Sequence, residues 1–127
     1  MNDIADVIHR FKNEFGLLAD KFVIIQLPIQ AASGSREENV AKPGVYVYWH
    51  PQKGVVKVGR HLTNSRKRAL EHIRDNTNGT MATLLDDDAT QLLLFNVKED
   101  KDKHWVAALE IYFETVLIRS IPSKRLG

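Results

Sequence analysis

Residues 44–72, "GVYVYWHPQKGVVKVGRHLTNSRKRALEH", decide the fold. "GVYVYW" and "GVVKVG" are rich in β-branched and aromatic residues, and the "HPQK" between them has the proline, polar and glycine-adjacent chemistry of a hairpin loop. A four-residue loop predicts that Trp49 pairs with Gly54, which sets Tyr46 opposite Lys57, Gly44 opposite Gly59 and Tyr48 opposite Val55. Val45, Val47, Val56 and Val58 then share the core face, and the tyrosines and Lys57 share the other. Directly behind the hairpin, Thr63, Asn64 or Ser65 can cap a helix running to about Asp75, with Ala69, Leu70 and Ile73 as its apolar positions. Arg68 and His72, four residues apart, share one face of that helix.

Working outward, Ile4, Val7, Ile8, Phe11, Phe15 and Leu18 recur at helical spacing and predict an amphipathic helix over 3–18, closed near Gly16. "KFVIIQL" reads as a short buried strand, and 28–44 as a loop leading into the body of the domain. "TMATLL" reads as a helical segment, "QLLLFNV" as a buried strand and "KEDKDK" as a solvated turn. "HWVAALEIYFETVLI" is a helix apolar almost all round, in which Glu110 and Glu114 are the only charges from Trp105 to Ile118. Carboxylates there must reach solvent, a partner or a metal. The expected class is α+β: a small antiparallel β-sheet flanked by helices. Residues 44–127 form its core, and residues 1–43 are an N-terminal helix, strand and loop extension of the same domain.

Composition excludes some chemistry. The 127 residues contain no cysteine, so disulfides, thiolate zinc sites and thiol nucleophiles are impossible. No segment approaches the roughly 20 apolar residues of a membrane span, and the acidic opening residues do not resemble a secretion signal. The expectation is a cytoplasmic protein with no membrane partner. Asn78-Gly79-Thr80 matches a glycosylation sequon without that context. The net charge of +2 is small, but it is segregated. From Asn39 to Leu70 stand Lys42, Lys53, Lys57, Arg60, Arg66, Lys67 and Arg68 with no acid, while acids collect at Glu37-Glu38, Asp86-Asp87-Asp88 and 99–102. A local basic face on a nearly neutral chain fits a polyanion-binding surface. The three aspartates read as a solvated cap. His50 and His104 sit beside turns without ligand partners in the sequence, and Trp49 and Trp105 read as core.

The order of parts is specific: Gly44-Val45-Tyr46, Lys57-Val58-Gly59, Arg68 with His72, then Glu114 followed by Leu117-Ile118, Arg119 and Pro122. Over residues 44 to about 122 the chain resembles the GIY-YIG nuclease family, whose Gly-Ile-Tyr and Tyr-Ile-Gly motifs fall on "GVY" and "KVG" and whose helix Arg-x-x-x-His falls on Arg68 and His72. It departs from the family in Lys57, which replaces the first tyrosine of the second motif. The stretch from Gly59 to Arg68 is also a residue longer than usual, and Arg125 stands where an asparagine is common. The longer spacing makes Arg66 an alternative to Arg68.

The resemblance implies hydrolysis of DNA phosphodiesters with one divalent ion, Mg²⁺ or Mn²⁺, held by Glu114, or by Glu110 if the metal ligand lies one turn back. In-line attack needs a deprotonated water, charge stabilisation on the phosphoryl oxygens and help for the leaving oxygen. Tyr46 is the base expected, with the Lys57 ammonium favouring its phenolate. Arg68 offers a planar fork for phosphoryl oxygens, His72 completes the catalytic set, and Arg60, Arg66 and Lys67 are expected to grip substrate phosphates. The Lys57 and Arg125 departures support an alternative, a non-catalytic nucleic-acid-binding module that retains the fold. A protein partner or homo-oligomer is compatible with either.

Overall fold

The computed structural model describes residues 2–74 and 81–121. Expectations placed on Asp75, the sequon at 78–80, Thr80, Pro122 and Arg125 lie outside the described residues.

Four strands, β1 (Phe22–Pro28), β2 (Gly44–His50), β3 (Gly54–His61) and β4 (Gln91–Val97), form one sheet in the order β1-β4-β2-β3. Every neighbouring pair is antiparallel. The helices are α1 (Ile4–Phe15), α2 (Ser65–Arg74), α3 (Ala82–Leu85) and α4 (His104–Val116). The class is therefore α+β, a small antiparallel sheet flanked by helices.

Local chemistry sets the helix ends. The Asp3 carboxylate accepts the N–H of Asp6 at 2.7 Å and opens α1, while the N–H of Gly16, at φ 54°, returns to the carbonyl of Lys12 and closes it. That closure places Leu18 outside the helix, in a 3-10 turn over Gly16–Lys21, and not on the helical face expected of it. Asn64 caps α2, its side-chain oxygen accepting the N–H of Lys67 at 3.0 Å. The expected loop over 28–44 contains a 3-10 helix, Ile29–Gly34, which buries Ile29 and Ala32.

The sheet separates two cores. On one face Val45, Val47, Val55, Val58, Leu93 and Phe95 pack with Val7 and Phe11 of α1 and Val106, Leu109 and Phe113 of α4. Ring pairs Phe11–Phe95 and Phe95–Phe113, with centroids 5.2 and 5.0 Å apart, join the two helices through β4. The other face packs Tyr46, Tyr48, Val56, Leu92 and Leu94 against Ala69 and Ile73 of α2. Trp49 and Trp105 are partly buried against the first core. The N-terminal segment belongs to the same sheet, since β1 pairs with β4 along its whole length.

The hairpin register differs from the sequence expectation. His50, not Trp49, pairs with Gly54, so Tyr48 stands opposite Lys57, Tyr46 opposite Gly59 and Gly44 opposite His61. Two hydrogen bonds explain it: the carbonyl of His50 accepts the N–H of Lys53 at 3.1 Å, and His50 Nδ1 accepts the N–H of Gln52 at 3.1 Å. His50 thus belongs to the turn closure, leaving Pro51-Gln52-Lys53 as the loop. Between Tyr48 and Trp49 the register shifts, and Val56 has no Cα partner on β2. This bulge turns Val56 onto the tyrosine face, away from Val45, Val47 and Val58.

Candidate functional site on the tyrosine face

Tyr46, Tyr48 and Lys57 share a face because Tyr46 and Tyr48 are two residues apart on β2 and Lys57 pairs with Tyr48. The tyrosine rings meet edge to face, centroids 5.6 Å apart. They serve different purposes. Tyr48 is fully buried and its hydroxyl donates to the carbonyl of Ala69 at 2.6 Å, which ties α2 to β2. Burial first, then repulsion from Tyr46, pushes the Tyr48 hydroxyl well above the ordinary tyrosine range, against a smaller opposing pull from Arg68. Tyr48 is thus a neutral donor at working pH.

Tyr46 lies across Gly59. A Cβ on Gly59 would collide with Cζ and the hydroxyl oxygen of Tyr46 and stand 2.6 Å from its Cε1, so only glycine lets the ring pass over β3, the outer strand of the sheet. Gly44 is required for a second close approach. A Cβ there would overlap Asn96 Oδ1 and stand 2.7 Å from the Phe95 carbonyl oxygen. The buried Asn96 also binds the Ser65 hydroxyl and the carbonyls of Asn39 and Val40. One amide therefore fixes the chain entering β2 and the first residue of α2.

With α2 so fixed, Arg68 and His72 fall beside the tyrosines. Arg68 is exposed and His72 half-buried. The His72 pKa is lowered from the ordinary value of 6.5, by burial first and then by the Lys57 ammonium and the Arg68 guanidinium. Its Nε2 is buried and, among the described residues, has no hydrogen-bond partner. Tyr46, Lys57, Arg68 and His72 are thus brought to one face: a phenol, two cations and an imidazole that burial and those cations keep neutral.

Arg60, Arg66 and Lys67 lie apart from this cluster. Arg66 donates to the carbonyl of Ser35 at 2.7 Å, on the flank of α2 away from Arg68, so the alternative helix register finds no support. Lys67 is exposed. Arg60 pairs with Val45, a residue of the α4 face, and its guanidinium forms an ion pair with Glu110, whose side chain is 3% exposed. Arg60 is thus committed to a buried pair and not displayed with Arg66 and Lys67. His50 is buried, and its Nε2 is 2.7 Å from the Asp87 carboxylate. The N–H of Ala89 first, and then His50, hold that carboxyl below its ordinary range.

Glu114 stands near the C-terminal end of α4, a helix packed on the valine face. Its side chain is 5% exposed, with Oε2 3.1 Å from Arg119 Nη1, and the same guanidinium donates to the Glu114 carbonyl. The chain then rounds the outer edge of β3: Ser120 and Ile121 donate to the carbonyls of Val55 and Val56 at 3.2 and 2.8 Å, and Ile121 packs on the tyrosine-face core. As a donor, Glu114 fits Mg²⁺ or Mn²⁺, a hard carboxylate oxygen for an ion that keeps several waters and takes substrate phosphate. Among the described residues there is no group of three or more His, Asp or Glu that could hold a metal ion.

Sequence reasoning missed three participants: Tyr48 as the anchor of α2, Gly59 as the floor beneath Tyr46, and Arg119 as the partner of Glu114. Period-two alternation from Tyr46 could have shown the first. The other two depend on which elements meet in space.

Among the described residues no helix is long and apolar enough to cross a membrane. The chain matches no known family model, no curated protein and no solved structure.

Proposed function

We propose that the protein is a metal-dependent endonuclease of the GIY-YIG type that hydrolyses DNA phosphodiester bonds. The observation that carries this reading is the gathering of Tyr46, Lys57, Arg68 and His72 on one sheet face, with the Tyr46 hydroxyl over Gly59. Tyr46 takes the proton of the attacking water. Lys57 stands diagonal to it, with Cα atoms about 7–8 Å apart by strand geometry, and favours the phenolate. The exposed Arg68 guanidinium meets the non-bridging oxygens in the planar geometry that phosphate prefers. His72, kept neutral by its surroundings, is an acceptor within the same cluster. A Mg²⁺ or Mn²⁺ ion held by Glu114 would supply charge neutralisation at the phosphate and leaving oxygen.

The test is incubation of purified protein with supercoiled plasmid in Mg²⁺, in Mn²⁺ and in EDTA. Nicking that needs metal and is lost in Tyr46→Phe and Arg68→Ala is the expected result. One observation favours a second reading, a binding module that retains the fold without turnover: Oε2 of the Glu114 carboxylate already forms an ion pair with Arg119. A gel shift without nicking under every metal condition would establish that reading and overturn the first.

A further inference from the structure

Helix α2 carries cations on both sides of its buried stripe. Ser65, Ala69 and Ile73 are fully buried. At 3.6 residues per turn, Arg68 and His72 fall on one flank of that stripe and Arg66 and Leu70 on the other. The second flank is concave: Ser33 of the 3-10 helix, Asn64, Arg66, Lys67, Leu70 and Arg74 line a surface hollow of about 270 Å³. Glu71 is the one acid in that lining. The bond from Arg66 to the Ser35 carbonyl, 2.7 Å long, anchors its guanidinium beside the hollow. That bond uses one of five N–H donors, leaving the fork capacity for an anion. Lys67 adds an exposed ammonium, and its backbone is secured by the Asn64 cap.

We propose that this hollow is a second phosphate site, which holds a phosphodiester of the bound nucleic acid on the opposite side of α2 from Arg68. The inference rests on the nuclease reading for its ligand, but it concerns grip and not cleavage. A helix with side chains is about 10–12 Å across, so the two held phosphates are separated by about that distance and the backbone straddles α2. The chemistry is charge complementarity: the Arg66 guanidinium and the exposed Lys67 ammonium border a hollow large enough for a phosphate group. Affinity then resides largely in Arg66 and Lys67, and positioning of the scissile phosphate in Arg68.

The test uses Tyr46→Phe protein, so that cleavage does not intrude, and follows anisotropy of a fluorescein-labelled DNA duplex over a series of NaCl concentrations. Lys67→Ala should lower the log–log salt slope by about 0.9, the value for one phosphate no longer neutralised, and Arg66→Gln with Lys67→Ala by about twice that. Lys67 is exposed, so its substitution leaves the fold intact. Lys98→Ala, an exposed cation just beyond β4, should leave the slope unchanged. Salt-dependent binding that ignores Lys67 and Arg66, or that falls equally with Lys98→Ala, overturns the second site while leaving the nuclease reading standing. A parent protein that binds no nucleic acid overturns both.

Discussion

The aromatic ring of Tyr46 occupies the space that a side chain on Gly59 would fill, its Cε1 lying 2.6 Å from where a Cβ would stand. Two residues on neighbouring strands thus define one another: the glycine lets the phenol cross the outer strand. Gly59→Ala should force the buried ring aside, costing about 1–3 kcal/mol of stability as overpacking. Plasmid nicking should fall far more than this loss explains. Denaturant unfolding and nicking measured on the same preparation check both, and unchanged nicking would separate Tyr46 from the chemistry.

Tyr46 and Tyr48 should give opposite phenotypes when each loses its hydroxyl. Tyr48→Phe removes the bond to the Ala69 carbonyl and should cost about 1 kcal/mol, the net worth of a typical hydrogen bond, with most activity kept. Tyr46→Phe should cleave nothing at any pH. An active Tyr46→Phe protein would remove it as the base.

His72 makes stability depend on pH. Its folded pKa lies below 6.5, so the unfolded chain binds the proton more readily and stability is lost as pH falls through 6.5 towards the lowered value. His72→Gln should flatten that part of the stability profile. Lys57→Met removes one of the causes, so the imidazole pKa read by NMR should rise towards 6.5. The same substitution should move the basic limb of the nicking profile upward if Lys57 also tunes Tyr46. Parallel profiles would instead assign Lys57 to phosphate.

The two glutamates of α4 separate by partner. Glu110→Gln takes the charge from the buried pair with Arg60 and should destabilise by up to about 3 kcal/mol, the lower edge of what breaking a buried pair costs. Glu114→Gln should abolish Mg²⁺-dependent and Mn²⁺-dependent nicking with a smaller effect on unfolding. Calorimetric titration with Mn²⁺ provides a readout independent of cleavage. Mn²⁺ binding that survives Glu114→Gln but not Glu110→Gln would move the metal ligand back one turn.

What the sequence determined by itself is what local physics decides. Helical spacing from Ile4 to Phe15, alternation in β2, a cap among Thr63, Asn64 and Ser65 and the apolar run of α4 each depend on residues within a turn or two of one another. The elements, the α+β class and the shared face of Arg68 and His72 were therefore legible. The hairpin register was not, because His50 leaves the loop for the ladder while its Nε2 is held by Asp87, 37 residues away. The fates of Arg60 and Glu114 were equally hidden. The basic stretch makes Arg60 an expected phosphate ligand, and the family resemblance makes Glu114 an expected metal ligand. Only the packing of α4 across the valine face, and the turn that carries Arg119 back towards the end of that helix, shows that each already has an ionic partner. Tertiary structure decides such pairings because a buried charge takes whichever opposite charge the fold brings within reach, and that distance is set by how elements cross, not by their spacing along the chain.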